Sequence, residues 1–165
     1  MTDRGKEPVK PLIREIMVAI QPQWAELIFI GSKTMEIRKT LPNNRKPFRA
    51  YVYVTEKRPL WIRFDTINQI MSGHVVGEFV CNGFNRFFWR DQSELAKEIR
   101  AKSQVSLGAM ARYAGDSDTL FAWHISDVVE YNNVKKIGEF LNNKGNIMKR
   151  PPQSWEYVTP YRFGG

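Results

Sequence analysis

Four residues near the start of a predicted strand have the types and spacing of a binding or catalytic site. They are Gly31, Lys33, Glu36 and Arg38, in the segment Gly-Ser-Lys-Thr-Met-Glu-Ile-Arg. Lysine and arginine supply positive charge for an anionic ligand, and a glutamate can orient them, accept hydrogen bonds or act as a general base. The same spacing also fits a helix cap followed by a strand with a surface ion pair, so the local pattern leaves both interpretations open.

The elements on either side of this segment would place the charged side chains together. Pro22 suits the first turn of a helix, and Gly31 can end that helix because glycine tolerates the tight turn. Polar and apolar residues alternate over residues 34–38, which predicts a strand. Its two apolar residues should face one side, so that Glu36 and Arg38 point together to the other.

The positive charge of the chain is concentrated around this segment. Residues 33–63 carry nine basic and two acidic residues, which is most of the net charge of +8. Aromatic residues are interleaved with these cations, so the segment could bind phosphates through its charges and bases through its rings. A solvated strand edge protected by lysines is the alternative. We predict the binding surface because the segment lacks compensating acids. The predicted nucleic-acid contacts are Lys33, Glu36, Arg38, Lys39, Arg45, Lys46, Arg49, Tyr53, Lys57, Arg58 and Arg63.

The rest of the sequence predicts an α+β fold, a mostly antiparallel sheet with inserted helices that closes into a small barrel. Strands are predicted over residues 14–20, 34–38, 49–55, 73–81 and 119–131. Helices are predicted over residues 22–30, 93–102, 106–114 and 134–141. Residues 41–47 form a predicted turn, residues 56–72 have no clear assignment, and the tail after residue 150 is extended.

Length and composition limit the possible classes of protein. The 165 residues, with five Trp, six Tyr and ten Phe, suffice to bury one core. We expect a flexible arm at residues 1–13 and a single domain at residues 14–165. The longest apolar run, residues 16–20, is too short to cross a membrane, and the chain begins without a secretory signal. One cysteine and two histidines argue against a disulfide or a metal site. We therefore expect a cytoplasmic protein without cofactors or a membrane partner.

Residues 94–115 resemble a helix-turn-helix only superficially. An arginine occupies the place of the turn glycine, and the charge of this region is balanced. The spacing of Leu95, Ile99, Leu107 and Met110 is that of an ordinary core stripe. We therefore predict a helical insertion rather than a recognition helix.

The order of these features resembles the ASCH domain of the PUA-like superfamily. The likeness consists of a strand, a helix that opens with Pro-x-Trp-Ala, the motif G-x-K-x-x-E-x-R from Gly31 to Arg38, and a later strand Val-Val-Gly-Glu-Phe. Residues 121–127 and 150–155 are similar to phage and prophage members of that group. The resemblance covers about residues 14–158.

This resemblance implies a PUA-like pseudo-barrel with a cleft beside the helix–strand junction that binds RNA or a modified nucleotide. Trp24, Glu78 and Trp155 are the further cleft candidates. Glu78 could turn its carboxylate into the cleft, and Trp155 could stack on a base. A hydrogen-bonded edge glutamate and a core tryptophan are the alternatives for these two residues.

An enzyme remains an alternative. Some bacterial members of the superfamily are amidohydrolases of N4-acylated cytidine and are similar to G-x-K-T-x-T-x-R at this place. The present sequence keeps Lys33 but has Glu36 where the catalytic threonine would stand. A glutamate can activate water but does not replace a hydroxyl nucleophile.

We therefore predict binding of RNA, another single-stranded nucleic acid or a modified nucleotide as the function. A small hydrolase, either an amidohydrolase or a ribonuclease, is the first alternative, with Lys33 and Glu36 as its acid/base pair. A phage-encoded module that engages a host protein through its basic surface is the second.

Overall fold

The computed structural model describes residues 15–43, 47–55 and 72–161. In the chain's order, these residues form β1 (Glu15–Ile20), α1 (Pro22–Phe29), β2 (Met35–Arg38), β3 (Phe48–Val54), β4 (Val75–Phe88), α2 (Glu94–Ser103), α3 (Leu107–Ala114), β5 (Thr119–Lys135), a 3-10 turn (Ile137–Glu139), β6 (Phe140–Asn142) and β7 (Trp155–Pro160). The predictions for the arm at residues 1–13 and for the segment 56–71 lie outside the described residues. The same holds for Arg45, Lys46, Lys57, Arg58 and Arg63.

The seven strands form one mixed sheet in the order β2-β5-β4-β3-β1-β7-β6. Strands β1 and β3 are parallel, and every other neighbouring pair is antiparallel. This confirms the predicted α+β class. None of the helices in the described ranges is both long enough and apolar enough to cross a membrane.

Closure of the sheet into a barrel was predicted wrongly. No backbone pairing joins the two edge strands, β2 and β6, in the described part of the chain. The sheet instead curls until the side chain of Arg38, on β2, donates a hydrogen bond to the Ala19 carbonyl of β1 (2.6 Å). Next to β2, the Thr34 N–H binds the Lys102 carbonyl at the end of α2 (2.8 Å). A side-chain hydrogen bond to β1 and a backbone hydrogen bond to α2 thus hold the β2 region, where no further strand is paired among the described residues.

The helix predicted over residues 134–141 was also wrong. Val134, Ile137 and Leu141 have helical spacing, but Lys135 continues β5 and pairs with Val75 of β4. Only a 3-10 turn follows, and Phe140 then begins β6, fully buried. Pairing with neighbouring strands therefore overrides the local periodicity here.

Helix α1 packs against one face of the sheet through a close approach at Gly77. A Cβ atom added to Gly77 would lie 2.4 Å from the Val129 carbonyl oxygen and 2.6 Å from the Phe29 ring of α1. The residues buried on this face are Ile16, Val18, Ile20, Ala25, Ile28, Phe48, Ala50, Val52, Val54, Val76, Phe79, Cys81 and Trp123. The glycine is thus the residue that lets helix and sheet meet.

Replacing Gly77 by alanine should lower the free energy of unfolding by about 1–3 kcal/mol, because a backbone carbonyl cannot move aside cheaply. Urea denaturation measures the change. The control is Gly138→Ala, where the added methyl group would have its nearest contact at 4.0 Å. Equal stabilities of the two variants would contradict the close approach.

The insertion formed by α2 and α3 builds a second core against β2. Met35 and Ile37 pack there with Ile99 and Met110, so the predicted alternation along β2 is confirmed. Both helices begin at serine caps, with Ser93 accepting from the Ala96 N–H and Ser106 from the Ala109 N–H. The core stripe predicted for these helices was partly wrong, because Leu95 and Leu107 are each 41% exposed. Their side chains lie at the outer starts of the two helices.

Candidate functional site

The turn between α1 and β2 brings the predicted motif into the interior. Helix α1 ends at Phe29, Ile30 is its C-cap, and Gly31 adopts a left-handed conformation with φ of +85°. The Lys33 N–H then binds the Leu27 carbonyl at 3.0 Å. Because this tight turn reverses the chain within three residues, Lys33 enters the protein interior rather than extending into solvent.

Lys33, Glu36 and Arg38 form one buried charged group, with exposures of 2%, 5% and 9%. The Lys33 ammonium donates to the Ser103 carbonyl (2.6 Å) and lies 3.6 Å from Glu36 Oε2. Arg38 Nη1 lies 2.9 Å from Glu36 Oε1, while its Nη2 donates to the Ala19 carbonyl. One carboxylate is thus shared by two cations, and backbone carbonyls from β1 and α2 hold those cations in place.

Burial lowers the pKa of Lys33 below its ordinary value of 10.5. The Glu36 carboxylate acts in the opposite direction, and the positive charge of Arg38 adds to the lowering. Among the described residues, Glu36 Oε2 and Arg38 Nε are buried polar atoms without a hydrogen-bond partner, although Oε2 lies 3.6 Å from the Lys33 ammonium. The group therefore holds a lysine that gives up its proton more easily than usual, beside a carboxylate oxygen and a guanidinium N–H whose hydrogen-bonding capacity is not fully used.

This group forms the floor of a cavity of about 620 Å³ in the gap between β1 and β2. That volume lies within the range of small-molecule binding sites. Trp24 of α1 forms one wall, with its ring centroid 5.1 Å from the Lys33 ammonium. Met110 and Tyr113 of α3 line another part, and Ser154 before β7 also contributes. Charged groups at the floor and rings in the wall make the cavity suitable for a flat, polar ligand.

Two predicted residues lie near this cavity without lining it. The Lys39 ammonium is 5.3 Å from the centroid of the ring of Tyr113, which is a cavity residue. Trp155 packs edge-on against Trp123 and donates its indole N–H to Thr40 (2.9 Å). These contacts are the ones expected if Trp155 belongs to the core rather than stacking on a base.

Three further predicted residues lie elsewhere on the sheet. Arg49 forms ion pairs with Glu15 (2.9 Å) and with Glu78 (2.8 Å), and neither Arg49 nor Glu78 lines the cavity. Tyr53 is buried in a separate core cluster with Phe140. Arg49 and Tyr53 are on the strand face opposite to the residues that pack with α1. The structure does not bring them together with Lys33.

The insertion supplies cavity residues that the sequence did not reveal. These are Val105, Ala109, Met110, Arg112 and Tyr113. The adjacent basic and aromatic residues at the end of α3 were an available signal. Their place in the lining could not be predicted, because it depends on how the insertion packs beside Lys33, whose ammonium binds the Ser103 carbonyl seventy positions away. In the described parts of the chain, no cluster of three or more His, Cys, Asp or Glu residues could hold a metal ion.

Comparison with known proteins places the fold but not the activity. No protein-family model matches the sequence, and no curated protein matches it. The structure is similar to that of an ASCH protein from Zymomonas mobilis, with a TM-score of 0.65 and 18% identity over 88% of this chain and 87% of that chain. A serine-to-alanine mutant of that protein gives a TM-score of 0.67 and 17% identity over 91% and 92% of the two chains. The chain therefore has the fold of ASCH domain proteins, as the motif order predicted.

Proposed function

We propose that the cavity binds a nucleobase, either of an RNA strand or of a single nucleotide, including modified ones. The observation that carries this proposal is the buried group of Lys33, Glu36 and Arg38 at the floor of a cavity walled by Trp24 and Tyr113. Burial of three ionised side chains is costly, and hydrophobic residues of similar size would often be at least as stable. A binding role explains why such a group is kept where a ligand can reach it.

The chemistry of the floor matches the edge of a base. Base edges present hydrogen-bond donors and acceptors side by side, and a carboxylate accepts well from an exocyclic amino group. Glu36 Oε2 is such an acceptor once the Lys33 ammonium, 3.6 Å away, shifts aside. Lysine and arginine N–H groups can donate to carbonyl oxygens and ring nitrogens. The rings of Trp24 and Tyr113 would stack on the base, which is worth about 1–3 kcal/mol per base.

For an RNA strand, the basic residues that follow the motif would bind the phosphates on either side of the recognised base. Lys39, beside Tyr113, is the first of them. Membership of a phage-type subfamily and the contacts of Arg45, Lys46, Lys57, Arg58 and Arg63 remain part of this proposal. Arg49 is left out of it, because two carboxylates already neutralise its charge.

Replacing Arg38 by alanine should weaken RNA binding at least about tenfold, since a hydrogen bond to a charged group is worth about 1.5–3 kcal/mol. Fluorescence anisotropy with short labelled RNA and DNA, at several salt concentrations, measures the affinity. For single strands, log K should fall with log salt by about 0.7 per phosphate neutralised. The control is Lys144→Ala, which removes a positive charge outside the cavity lining.

A second cavity variant, Lys33→Ala, is titrated in the same way, and circular dichroism establishes that all three variants are folded. Unchanged affinity in folded Arg38→Ala and Lys33→Ala variants would reject the cavity as the binding site. A steep salt dependence that neither variant alters would place binding on the basic segment instead.

A hydrolase of modified nucleosides is a second candidate, favoured by the lowered pKa of Lys33 beside Glu36. A deprotonated Lys33 could act as a general base toward water. Turnover of N4-acylcytidines should then rise with pH as Lys33 loses its proton, and Glu36→Ala should abolish it. Absence of turnover at high enzyme concentration would reject this activity for those substrates.

A further inference from the structure

One cation that lines the cavity takes no part in the buried group at its floor. Arg112 of α3 is exposed and contributes to the cavity lining. Within the described ranges, its guanidinium makes no hydrogen bond or ion pair with another residue. None of the described residues thus takes up its five N–H donors, which makes this guanidinium the candidate to bind a ligand.

The other two cations of the cavity already have partners within the protein. Arg38 binds Glu36 and the Ala19 carbonyl, and Lys33 binds the Ser103 carbonyl beside Glu36. The described charged residues of the lining are thus three cations and a single carboxylate. The excess of positive charge attracts an anion, and Arg112 is the cation with open donors to receive it.

The position of Arg112 suits a ligand group at the cavity mouth. A Cβ atom added to Gly108 would lie 3.7 Å from Arg112 Nη1, so the guanidinium folds back over the first turn of α3. Ala109, in the same turn, also lines the cavity. Any larger side chain at position 108 would narrow the space beside the Arg112 guanidinium. The planar fork of an arginine matches two oxygens of a phosphate.

We infer that Arg112 binds the phosphate of a nucleotide whose base lies on the floor formed by Lys33, Glu36 and Arg38. This inference rests on the proposed function and narrows it. The ligand is a phosphorylated nucleotide unit, free or within a strand, rather than a neutral nucleoside. Specificity is then divided between two elements, with the base recognised at β2 and the phosphate at the helical insertion.

Isothermal titration calorimetry with the four common ribonucleosides, their 5′-monophosphates, inorganic phosphate and a short single-stranded RNA tests this division. At low salt, at least one monophosphate should bind the wild-type protein roughly tenfold or more tightly than its nucleoside. Arg112→Ala should remove that advantage and leave the nucleoside affinity unchanged. Arg112→Lys should restore part of it, and Lys144→Ala should keep all of it.

The ligand whose affinity Arg112→Ala lowers shows whether the phosphate belongs to a free nucleotide or to an RNA strand. A loss confined to the RNA supports a nucleotide within a strand, whereas a loss for the monophosphate supports a free nucleotide. If Arg112→Ala leaves the RNA affinity unchanged, a monophosphate advantage that survives in this variant, or equal binding of nucleoside and monophosphate by the wild type, overturns the inference while the proposed function stands. If no nucleoside, nucleotide or RNA binds the wild-type protein, the proposed function itself fails and the inference fails with it.

Discussion

Replacing Glu36 by alanine should lower the free energy of unfolding by about 3–5 kcal/mol and abolish ligand binding. The variant would leave Lys33 and Arg38 buried without the carboxylate that they share, and removal of one partner from a buried ion pair carries a cost of this size. Urea denaturation at neutral pH measures the stability, and anisotropy titration measures the binding. Glu36→Gln keeps the shape of the side chain and removes only its charge.

The pH dependence of the free energy of unfolding distinguishes the loss of the Glu36 charge from a loss of packing. Because the folded-state pKa of Lys33 already lies below 10.5, the unfolded chain binds more protons than the folded protein between the two pKa values. Stability therefore rises with pH in that window. Without Glu36, the pKa of Lys33 should fall further. The deficit of Glu36→Ala should therefore shrink as the pH rises from the Lys33 pKa of the folded variant to that of the folded wild type, and it should stay constant above that range. A deficit below about 1 kcal/mol, or one that does not change between these two folded-state pKa values, would contradict the charged group as described.

Replacing Trp123 by alanine should also lower the free energy of unfolding by about 3–5 kcal/mol, because the variant leaves a large cavity. Trp123 is fully buried on β5 and makes edge-on contacts with Phe48 and Trp155, at centroid distances of 5.5 and 6.3 Å. It is paired with Glu36 on the neighbouring strand. Loss of its ring should therefore disturb the floor of the site as well as the core.

The matched control is Trp123→Phe, which keeps an aromatic ring at this position. The indole N–H of Trp123 has no hydrogen-bond partner in the described part of the chain, so its removal leaves no acceptor there unsatisfied. Thermal and urea denaturation should place Trp123→Phe within about 1.5 kcal/mol of the wild type. A similar loss in both variants would contradict the packing described for this residue.

The local part of the site was predictable from the sequence. Gly31 ends a helix, and the alternation along β2 directs Glu36 and Arg38 away from the core side taken by Met35 and Ile37. These features depend on backbone conformation and on the period of a strand, and a few consecutive residues determine both. The serine caps of α2 and α3 were predictable for the same reason.

The contacts that complete the site were not predictable, because they join distant segments. The Lys33 ammonium is held by Ser103, seventy positions away, and Arg112 reaches the cavity only through the packing of the insertion. Arg49 shows the opposite case. Its place in a basic segment suggested a free cation, yet folding brings Glu15 and Glu78 to it from two other strands. Local charge predicts a binding surface only when the tertiary partners of each cation are known.

The central claim, that a nucleobase enters the cavity, is tested most directly by the indole N–H signals of the five tryptophans in a ¹H–¹⁵N spectrum. Trp24 lines the cavity, whereas the indole of Trp89 is bound to the Ser117 carbonyl outside it (2.6 Å). The signals are assigned with Trp24→Phe and Trp89→Phe and followed during titration with short RNA and with the monophosphates. The account predicts that the Trp24 signal shifts in proportion to saturation while the Trp89 signal stays in place. A Trp24 signal that does not move at saturating ligand would contradict it.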